Sequence, residues 1–313
     1  MTGLAGGKAL PRRAILIGVG ALTLLAMSGC GSLAPGNIRA RRRITQSLKS
    51  FDAVKSVNAQ VKSDFEIGDS WTVLISLNDD PGREETLAVL KDAYRRVEGA
   101  VGKTYFSLSV SWKQNGVSVS WSLSEKGENE ATLDYLRDLA KPSLKSMDVG
   151  GSHISVRRGD VKEFPADVIM APRSGVGVDD SFDLDGMSIK VRTDTVDFTS
   201  VPLREVVDAV DSKYRDEATV ELTDDHHVYE KPTLDVSAFG TVSDGLDVAA
   251  AAKVLNIVSG NQALQSLYVS TVRSQSSGGT RGVRFQMEAG DFDAGYPPEE
   301  GAEILAAARE SGS

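Results

Sequence analysis

One uninterrupted apolar run does most to constrain what this chain can fold into. The run covers residues 14–27 and ends at Ser28-Gly29-Cys30. The basic residues ahead of it are Lys8, Arg12 and Arg13. A basic head, a short apolar run and small residues in that order predict an export signal, and the run is too short to span a membrane. The fold must therefore form from the residues that follow.

The stretch Leu25-Ala26-Met27-Ser28-Gly29-Cys30 resembles the lipobox of bacterial lipoproteins. The resemblance implies that residues 1–29 are a lipoprotein signal peptide and that the sulfur of Cys30 receives a diacylglyceryl group. Cleavage would then make Cys30 the N-terminus and fix the chain to the cell membrane by its lipid, facing the extracytoplasmic side. Met27 departs from the Leu, Val or Ile that is usual in the family, but it is similar in size and apolarity.

Other interpretations of this N-terminal segment stay open. It is also consistent with an ordinary secretory signal followed by an unmodified cysteine, or with an anchor that is never cut. Arg12-Arg13 followed by Ala14-Ile15-Leu16 in addition resembles a twin-arginine export signal. In that case the protein would fold before it crosses the membrane.

The charge of the chain is polarised along its length. From Cys30 onward the chain carries 32 basic against 44 acidic residues, and from residue 44 onward 28 against 44, a net charge of −16. The difference is a basic stalk of Arg39, Arg41, Arg42 and Arg43. An acidic body repels nucleic acid, whereas a basic stalk beside a lipid would lie against anionic head groups. We therefore expect a membrane partner through the lipid on Cys30 and no nucleic acid, with a stalk free in solvent as the alternative.

Cys30 is the only cysteine, so no disulfide can form within the chain. Residues 30–50 are rich in Gly, Ser, Pro, Asn and Arg, which predicts a lipidated flexible tether. About 270 residues remain, enough for one large domain or two small ones. Stability outside the cytoplasm must come from packing alone.

Apolar periodicity predicts the elements of residues 51–164. Alternation predicts strands around 57–61 and 71–77, a helix follows Asp80-Pro81, and Asn115-Gly116 predicts a hairpin turn. A second helix from about Glu128 to Lys145 and a strand from His153 to Val156 complete the order. Two helices covering an antiparallel sheet in β-α-β-β-α-β order define a ferredoxin-like sandwich.

The same order of elements returns in residues 186–313. Strands are predicted around 187–191, 218–222 and 234–239, with helices after Ser200 and over 246–258, a final hairpin and a short closing helix. We therefore predict an α+β protein of two tandem ferredoxin-like sandwiches, each an antiparallel sheet with helices on one face. Residues 165–185 would link them. One continuous α+β domain is the alternative.

Candidate metal ligands are sparse. Asp224 and His226 belong to the densest set, Asp224-Asp225-His226-His227, but neighbouring side chains in an extended segment point to opposite faces, so exposed turn residues are favoured. Asp183 and Asp185 fall at positions three and five of an EF-hand-like spacing that begins at Ser181, yet its twelfth position is Arg192. These stay weak candidates, and we expect neither metal nor cofactor.

Trp112 and Trp121 flank the predicted Asn-Gly turn on one hairpin. Two tryptophans so placed could form a platform for sugar or peptide, although sheet packing is the commoner use. The sequence contains no Gly-x-Ser-x-Gly elbow, P-loop or dinucleotide fingerprint. No catalytic residue is therefore named.

Three functions follow as hypotheses. The favoured one is a non-enzymatic envelope lipoprotein that acts through a protein or cell-wall partner. The second is a carrier or receptor for a small or lipidic ligand held between the domains, which an apolar cavity would support. The third is a hydrolase that uses acidic residues, with or without a metal, and it requires convergent carboxylates with raised pKa values in a cleft.

Overall fold

The fold was analysed in a computed structural model. The structure describes residues 35–311 except 65–67, 126–129, 174, 225–230, 242, 273–279 and 289–290. Its strands are β1 (Val54–Asp64), β2 (Gly68–Leu77), β3 (Tyr105–Gln114), β4 (Val117–Ser122), β5 (Ser146–Gly150), β6 (His153–Val161), β7 (Gly177–Leu184), β8 (Met187–Thr193), β9 (Thr219–Thr223), β10 (Thr233–Ser237), β11 (Ser266–Ser270), β12 (Gly282–Glu288) and β13 (Asp291–Phe292). Its helices are α1 (Pro35–Leu48), α2 (Arg83–Val101), α3 (Glu130–Leu139), α4 (Leu203–Ala209), α5 (Val248–Val258) and α6 (Pro298–Ser311), with a 3₁₀ helix over Ser212–Glu217.

All thirteen strands form one mixed sheet in which each strand pairs with the next strand in sequence. Hairpins alternate with parallel crossovers, so β2 pairs with β3, β4 with β5, β6 with β7, β8 with β9 and β10 with β11 in parallel. The prediction of two ferredoxin-like sandwiches with antiparallel sheets is therefore wrong. Each crossover adds its strand at the growing edge, and so the sheet extends instead of closing into two separate units.

Strand β7 shows how the sheet continues across the middle of the chain. It lies within residues 165–185, the segment predicted to be a linker. It pairs in parallel with β6 and antiparallel with β8, so hydrogen bonds join the strands before and after this segment. The described residues of the crossover from β6 to β7, 162–173 and 175–176, form no helix.

One face of the sheet carries the core, because side chains alternate along each strand. Register links Met147, Val156, Val191 and Leu222 in one row of this covered face, with Asp180 between Val156 and Val191. Two clusters of buried residues lie on this face, one ending at Val178 and the other beginning at Phe182. Helices α2 and α3 contribute to the first cluster, and α4, α5 and α6 to the second.

Helix α1 occupies most of the predicted flexible tether. Its Ile44 and Leu48, one turn apart, are completely buried in the first cluster. Asn37 donates to Asp69 at 3.0 Å, and Arg96 of α2 donates to the carbonyl of Ser47 at 2.5 Å. Residues 35–48 are therefore part of the folded body, contrary to the tether prediction, because an apolar stripe lies among their arginines. None of the helices in the described part of the chain is long and apolar enough to cross a membrane.

Candidate functional site

The predicted calcium-like spacing lies on a hairpin. Asp183 is in β7, Asp185 and Gly186 form the turn, and Arg192 is in β8. Both turn residues have positive φ, 50° and 88°, as a tight two-residue hairpin turn requires. Ladder pairing turns successive side chains to opposite faces, so this segment cannot wrap around an ion. Among the described residues, no group of three or more His, Cys, Asp or Glu is arranged to hold a metal.

Asp224 has a structural use. Its Oδ2 accepts hydrogen bonds from the backbone N–H of Thr195 at 2.8 Å and of Val196 at 3.0 Å, and from the Thr195 hydroxyl at 2.9 Å. The carboxylate is buried and holds the loop that follows β8. Asp224 is therefore not placed as a metal ligand. His226 lies outside the described residues, as does Cys30 with the whole lipobox.

The two tryptophans pack in the core. Trp112 is 5% exposed and Trp121 is fully buried, and their rings stack with centroids 6.4 Å apart. Both lie on the covered face, where Trp112 pairs with Val119 and Trp121 with Val110. The structure therefore gives both tryptophans the commoner use, sheet packing, because their rings face the helices and not solvent.

Two strand carboxylates on the opposite face have raised pKa values. Burial raises the pKa of Asp183, helped by the negative charges of Asp160 and Asp216 and opposed by a hydrogen bond from the Gly186 backbone. Burial likewise raises the pKa of Asp235, with Arg284 opposing and Glu221 adding to the shift. The two groups lie on β7 and β10, with two strands between them. They do not converge on one site.

The described residues line a cavity of about 550 Å³ between α5, α6 and β13. Its walls include Leu255, Phe292 and Leu305 together with Asp291 and Arg309. It lies in the second half of the chain and contains neither of the carboxylates with raised pKa. It also lies away from the junction of the two clusters, where the carrier hypothesis requires a cavity.

The face of the sheet opposite the core is here called the open face. On β1 to β4 it carries ten small hydroxyl side chains, which we call the hydroxyl face. Its members are Ser56, Ser70, Thr72, Ser76, Ser107, Ser109, Ser111, Ser118, Ser120 and Ser122. All ten are exposed or half-buried. Six other side chains lie among them or at their margin in the same register, namely Asn58, Gln60, Lys62, Leu74, Tyr105 and Lys113.

Strand register orders these hydroxyls into rows. Ser56, Ser76, Ser111 and Ser120 lie side by side on β1, β2, β3 and β4. Neighbouring strands are about 4.8 Å apart, and alternate residues of one strand are about 6.7 Å apart, so hydroxyls recur at these intervals. Leu74 and Asn58 interrupt the next row, which continues with Ser109 and Ser122. None of the ten carries a charge. The exposed side chains of Lys62 and Lys113 lie at the edges of the same face.

The open face changes character beyond β5. A row across β8 to β12 carries Lys190, Glu221, Asp235, Tyr268 and Arg284 in register. The guanidinium of Arg284 lies 5.1 Å from the centre of the Tyr268 ring. This half of the face therefore carries a continuous row of charged and aromatic side chains, and its hydroxyls, among them Ser188, Thr219 and Ser237, lie beside that row.

A histidine cluster marks the border between these two halves. Nε2 of His153 lies 2.8 Å from Oδ2 of Asp179, and Nδ1 lies 3.2 Å from Oδ1 of Asp194. Arg192 lies 3.6 Å from Asp179 and 3.5 Å from Asp194. The imidazole is thus held between two carboxylates that a cation also contacts, which gives this histidine a structural use.

The chain matches no protein-family model, no curated protein and no solved structure.

The sequence signal of the hydroxyl face lies in the alternation itself. In Ser107-Leu108-Ser109-Val110-Ser111 and Ser118-Val119-Ser120-Trp121-Ser122 every second residue is serine. The apolar partners of this alternation predict the strands, and the serines between them predict what faces outward. Serine is not among the acids, histidines and tryptophans that usually indicate a site, so these residue types alone do not reveal the hydroxyl face.

Proposed function

We propose that this protein is a lipid-anchored envelope protein that binds, without catalysis, an uncharged hydroxyl-rich polysaccharide of the cell wall through its hydroxyl face. The observation that carries the proposal is the set of ten serine and threonine hydroxyls, all exposed or half-buried, on one side of β1 to β4. Each hydroxyl can both donate and accept a hydrogen bond. A polysaccharide presents the same two capabilities at regular intervals.

The chemistry of the face favours a glycan over a protein partner. Protein interfaces depend on buried aromatic, methionine and arginine side chains at their centres. The ten hydroxyl residues include none of these. On the same face Leu74 is half-buried, and Tyr105, 74% exposed, lies at the margin where it pairs with Ser70. Weak hydrogen bonds repeated along an extended partner would supply the affinity through multivalency.

The anchor part of the proposal rests on the lipobox. Acylation of Cys30 would hold the protein at the outer side of the membrane, where a cell-wall polymer is within reach. Mass spectrometry of the N-terminal peptide from native protein tests this part: we expect a diacylglyceryl-modified Cys30 and accumulation of uncleaved precursor under globomycin. A Cys30→Ala variant should lose the lipid. A native chain that begins at Met1 with a free thiol, or that is found in the cytosol, would contradict it.

Co-sedimentation with insoluble cell-wall polysaccharide tests the binding part. The test variant is Ser109→Ala/Ser120→Ala/Ser122→Ala, which removes three hydroxyls from an exposed or half-buried surface with little change in size. At about 1 kcal/mol for each hydrogen bond, we expect affinity to fall by at least about tenfold. The lipidated protein in detergent serves as the starting material.

A matched variant controls for loss of serine as such. Ser200→Ala/Ser212→Ala/Ser259→Ala removes three exposed hydroxyls that lie outside the sheet, and it should bind like the wild type. Equal binding by both triple variants, or no sedimentation of the wild type, would reject the hydroxyl face as the binding site. Crosslinking to a protein partner that the first variant abolishes would favour a protein interface instead.

A further inference from the structure

We infer that helix α1 docks on anionic lipid head groups and fixes the orientation of the folded body on the membrane. This inference rests on the proposed lipid anchor at Cys30. The inference goes beyond the anchor: a lipid tether alone keeps the protein near the membrane, whereas docking of α1 also fixes its orientation. The occupant of the surface is a bilayer that contains anionic phospholipid.

The first argument is reach. Cys30 lies five residues before Pro35, the first residue of α1. Five residues span at most about 18 Å even when fully extended. An acyl chain on Cys30 therefore keeps the start of α1 within that distance of the membrane surface, wherever the rest of the body lies.

The second argument is that α1 cannot swing away from the body. Ile44 and Leu48 are fully buried in the first cluster, with Ala40 packed against it one turn earlier. Arg96 donates to the Ser47 carbonyl at 2.5 Å and to the Ser50 hydroxyl at 2.6 Å, and its guanidinium lies 4.0 Å from the centre of the Phe51 ring. Orienting the helix on the membrane therefore orients the whole sheet.

The third argument is charge complementarity. Arg39, Arg41, Arg42 and Arg43 are all exposed, while the residues from 44 onward carry a net charge of −16. The acidic body is repelled by an anionic surface and the basic helix is attracted to it, so the two effects favour the same orientation. Ile38, 54% exposed beside Arg39, adds an apolar side chain that can enter the interfacial layer.

The test measures how close α1 lies to the head groups in the intact lipoprotein. Lipidation blocks Cys30, and the chain has no other cysteine, so a fluorescent probe can be attached at one chosen position. We place it at Ile38→Cys and, as a reference on the open face, at Ser120→Cys. The protein is reconstituted in vesicles of phosphatidylcholine alone or of equal parts phosphatidylcholine and phosphatidylglycerol, with a quencher on the lipid head groups.

We expect strong quenching at position 38 in the vesicles that contain phosphatidylglycerol, and markedly less in neutral vesicles or high salt. Each arginine near the surface strengthens binding about fivefold, so Arg41→Glu/Arg42→Glu/Arg43→Glu should abolish the quenching that depends on phosphatidylglycerol. The charge-matched variant Lys103→Glu/Lys141→Glu/Lys253→Glu changes three exposed lysines outside α1 and should leave it unchanged. The probe at position 120 should be insensitive to lipid charge.

Failure of docking and failure of the anchor give different results. A protein that stays with the vesicles in high salt, but whose probe at position 38 is quenched equally in both lipid mixtures, would overturn docking and leave the anchor intact. A protein that leaves both kinds of vesicle in high salt, with no diacylglyceryl group in its N-terminal peptide, would overturn the anchor and the docking with it. Equal effects of the two charge variants would also reject α1 as the docking surface.

Discussion

Arg158 and Asp180 form a bidentate ion pair at the centre of the sheet. Nε of Arg158 donates to Oδ1 of Asp180 at 2.8 Å, and Nη2 donates to Oδ2 at 2.8 Å. The side chains are 2% and 0% exposed. Arg158 also donates to the Asp167 side chain at 2.6 Å and to the Asp167 carbonyl at 2.7 Å. The pair thereby holds the crossover between β6 and β7 against the sheet between the two core clusters.

Removing one member of this pair should destabilise the protein strongly. Asp180→Ala leaves a buried guanidinium without its main partner, and such a loss costs about 3–5 kcal/mol of unfolding free energy. Urea denaturation followed by circular dichroism measures it. The double variant Arg158→Met/Asp180→Leu should lose less than either single variant, because it leaves no unpaired charge. A double variant whose loss equals the sum of the single losses would show that the two residues are not coupled.

Burial of Ile44 and Leu48 predicts that α1 is integral to the fold. Replacing either residue by alanine should lower the unfolding free energy by about 2–5 kcal/mol, the range for large-to-alanine changes in a core. Ile38→Ala, on the exposed side of the same helix, should change it by less than about 0.5 kcal/mol. Equal and negligible effects at all three positions would instead support a flexible tether in place of an integral helix.

Apolar periodicity predicted most of the strands and helices, yet the architecture derived from them was wrong. The reason lies in two strands, β5 and β7, that apolar periodicity does not predict. In β5 only Met147 and Val149 are apolar and buried, and in β7 a charged residue, Asp180, takes a core-facing position. Without them the elements resemble two separate units. With them every crossover leads to another hairpin, and the sheet is continuous.

Asp180 shows why periodicity failed at β7. An aspartate on the covered face is tolerated only because Arg158 on the neighbouring strand and the N–H of Ile169 satisfy its oxygens. That partner is 22 residues away in sequence, and no local pattern links the two. Without that partner, the acidic residues of the segment 165–185 favour a linker over a strand. Long-range polar pairing of this kind cannot be derived from one sequence.

Trp121 should behave as a core residue. It is fully buried and stacks on Trp112, so Trp121→Ala should cost about 3–5 kcal/mol of unfolding free energy. Trp112→Phe should cost less than Trp121→Ala, because it keeps an aromatic ring and removes an indole N–H that has no acceptor among the described residues. Urea denaturation measures both. If Trp121→Phe remained fully stable but lost polysaccharide binding, the tryptophan pair would have to be reconsidered as a binding site.

Asp167 predicts a loss of stability in acid. Burial raises the pKa of Asp167, but the charge and hydrogen bond of Arg158, with further hydrogen bonds, outweigh burial and leave the pKa below its ordinary value of 3.8. A carboxyl whose folded-state pKa is lowered stabilises the fold above the unfolded pKa and loses that contribution as pH falls through the folded value. Asp167→Asn should therefore destabilise at pH 7, and the difference from wild type should shrink below about pH 4. A difference that is constant with pH would contradict this.

Asp183 predicts the opposite dependence. Its pKa is raised, chiefly by burial and then by the nearby charge of Asp160. Ionisation therefore costs more in the folded than in the unfolded state, so the protonated form favours folding below the unfolded pKa of 3.8, and this advantage is lost as pH rises through the folded pKa. Asp183→Asn should raise the midpoint of urea denaturation at pH 7, with the gain vanishing below about pH 4.

Asp148→Asn, at an exposed position of β5 on the same face, is the matched control and should change little. Destabilisation by Asp183→Asn at pH 7 would mean that its hydrogen bond from Gly186 outweighs the cost of burying its charge.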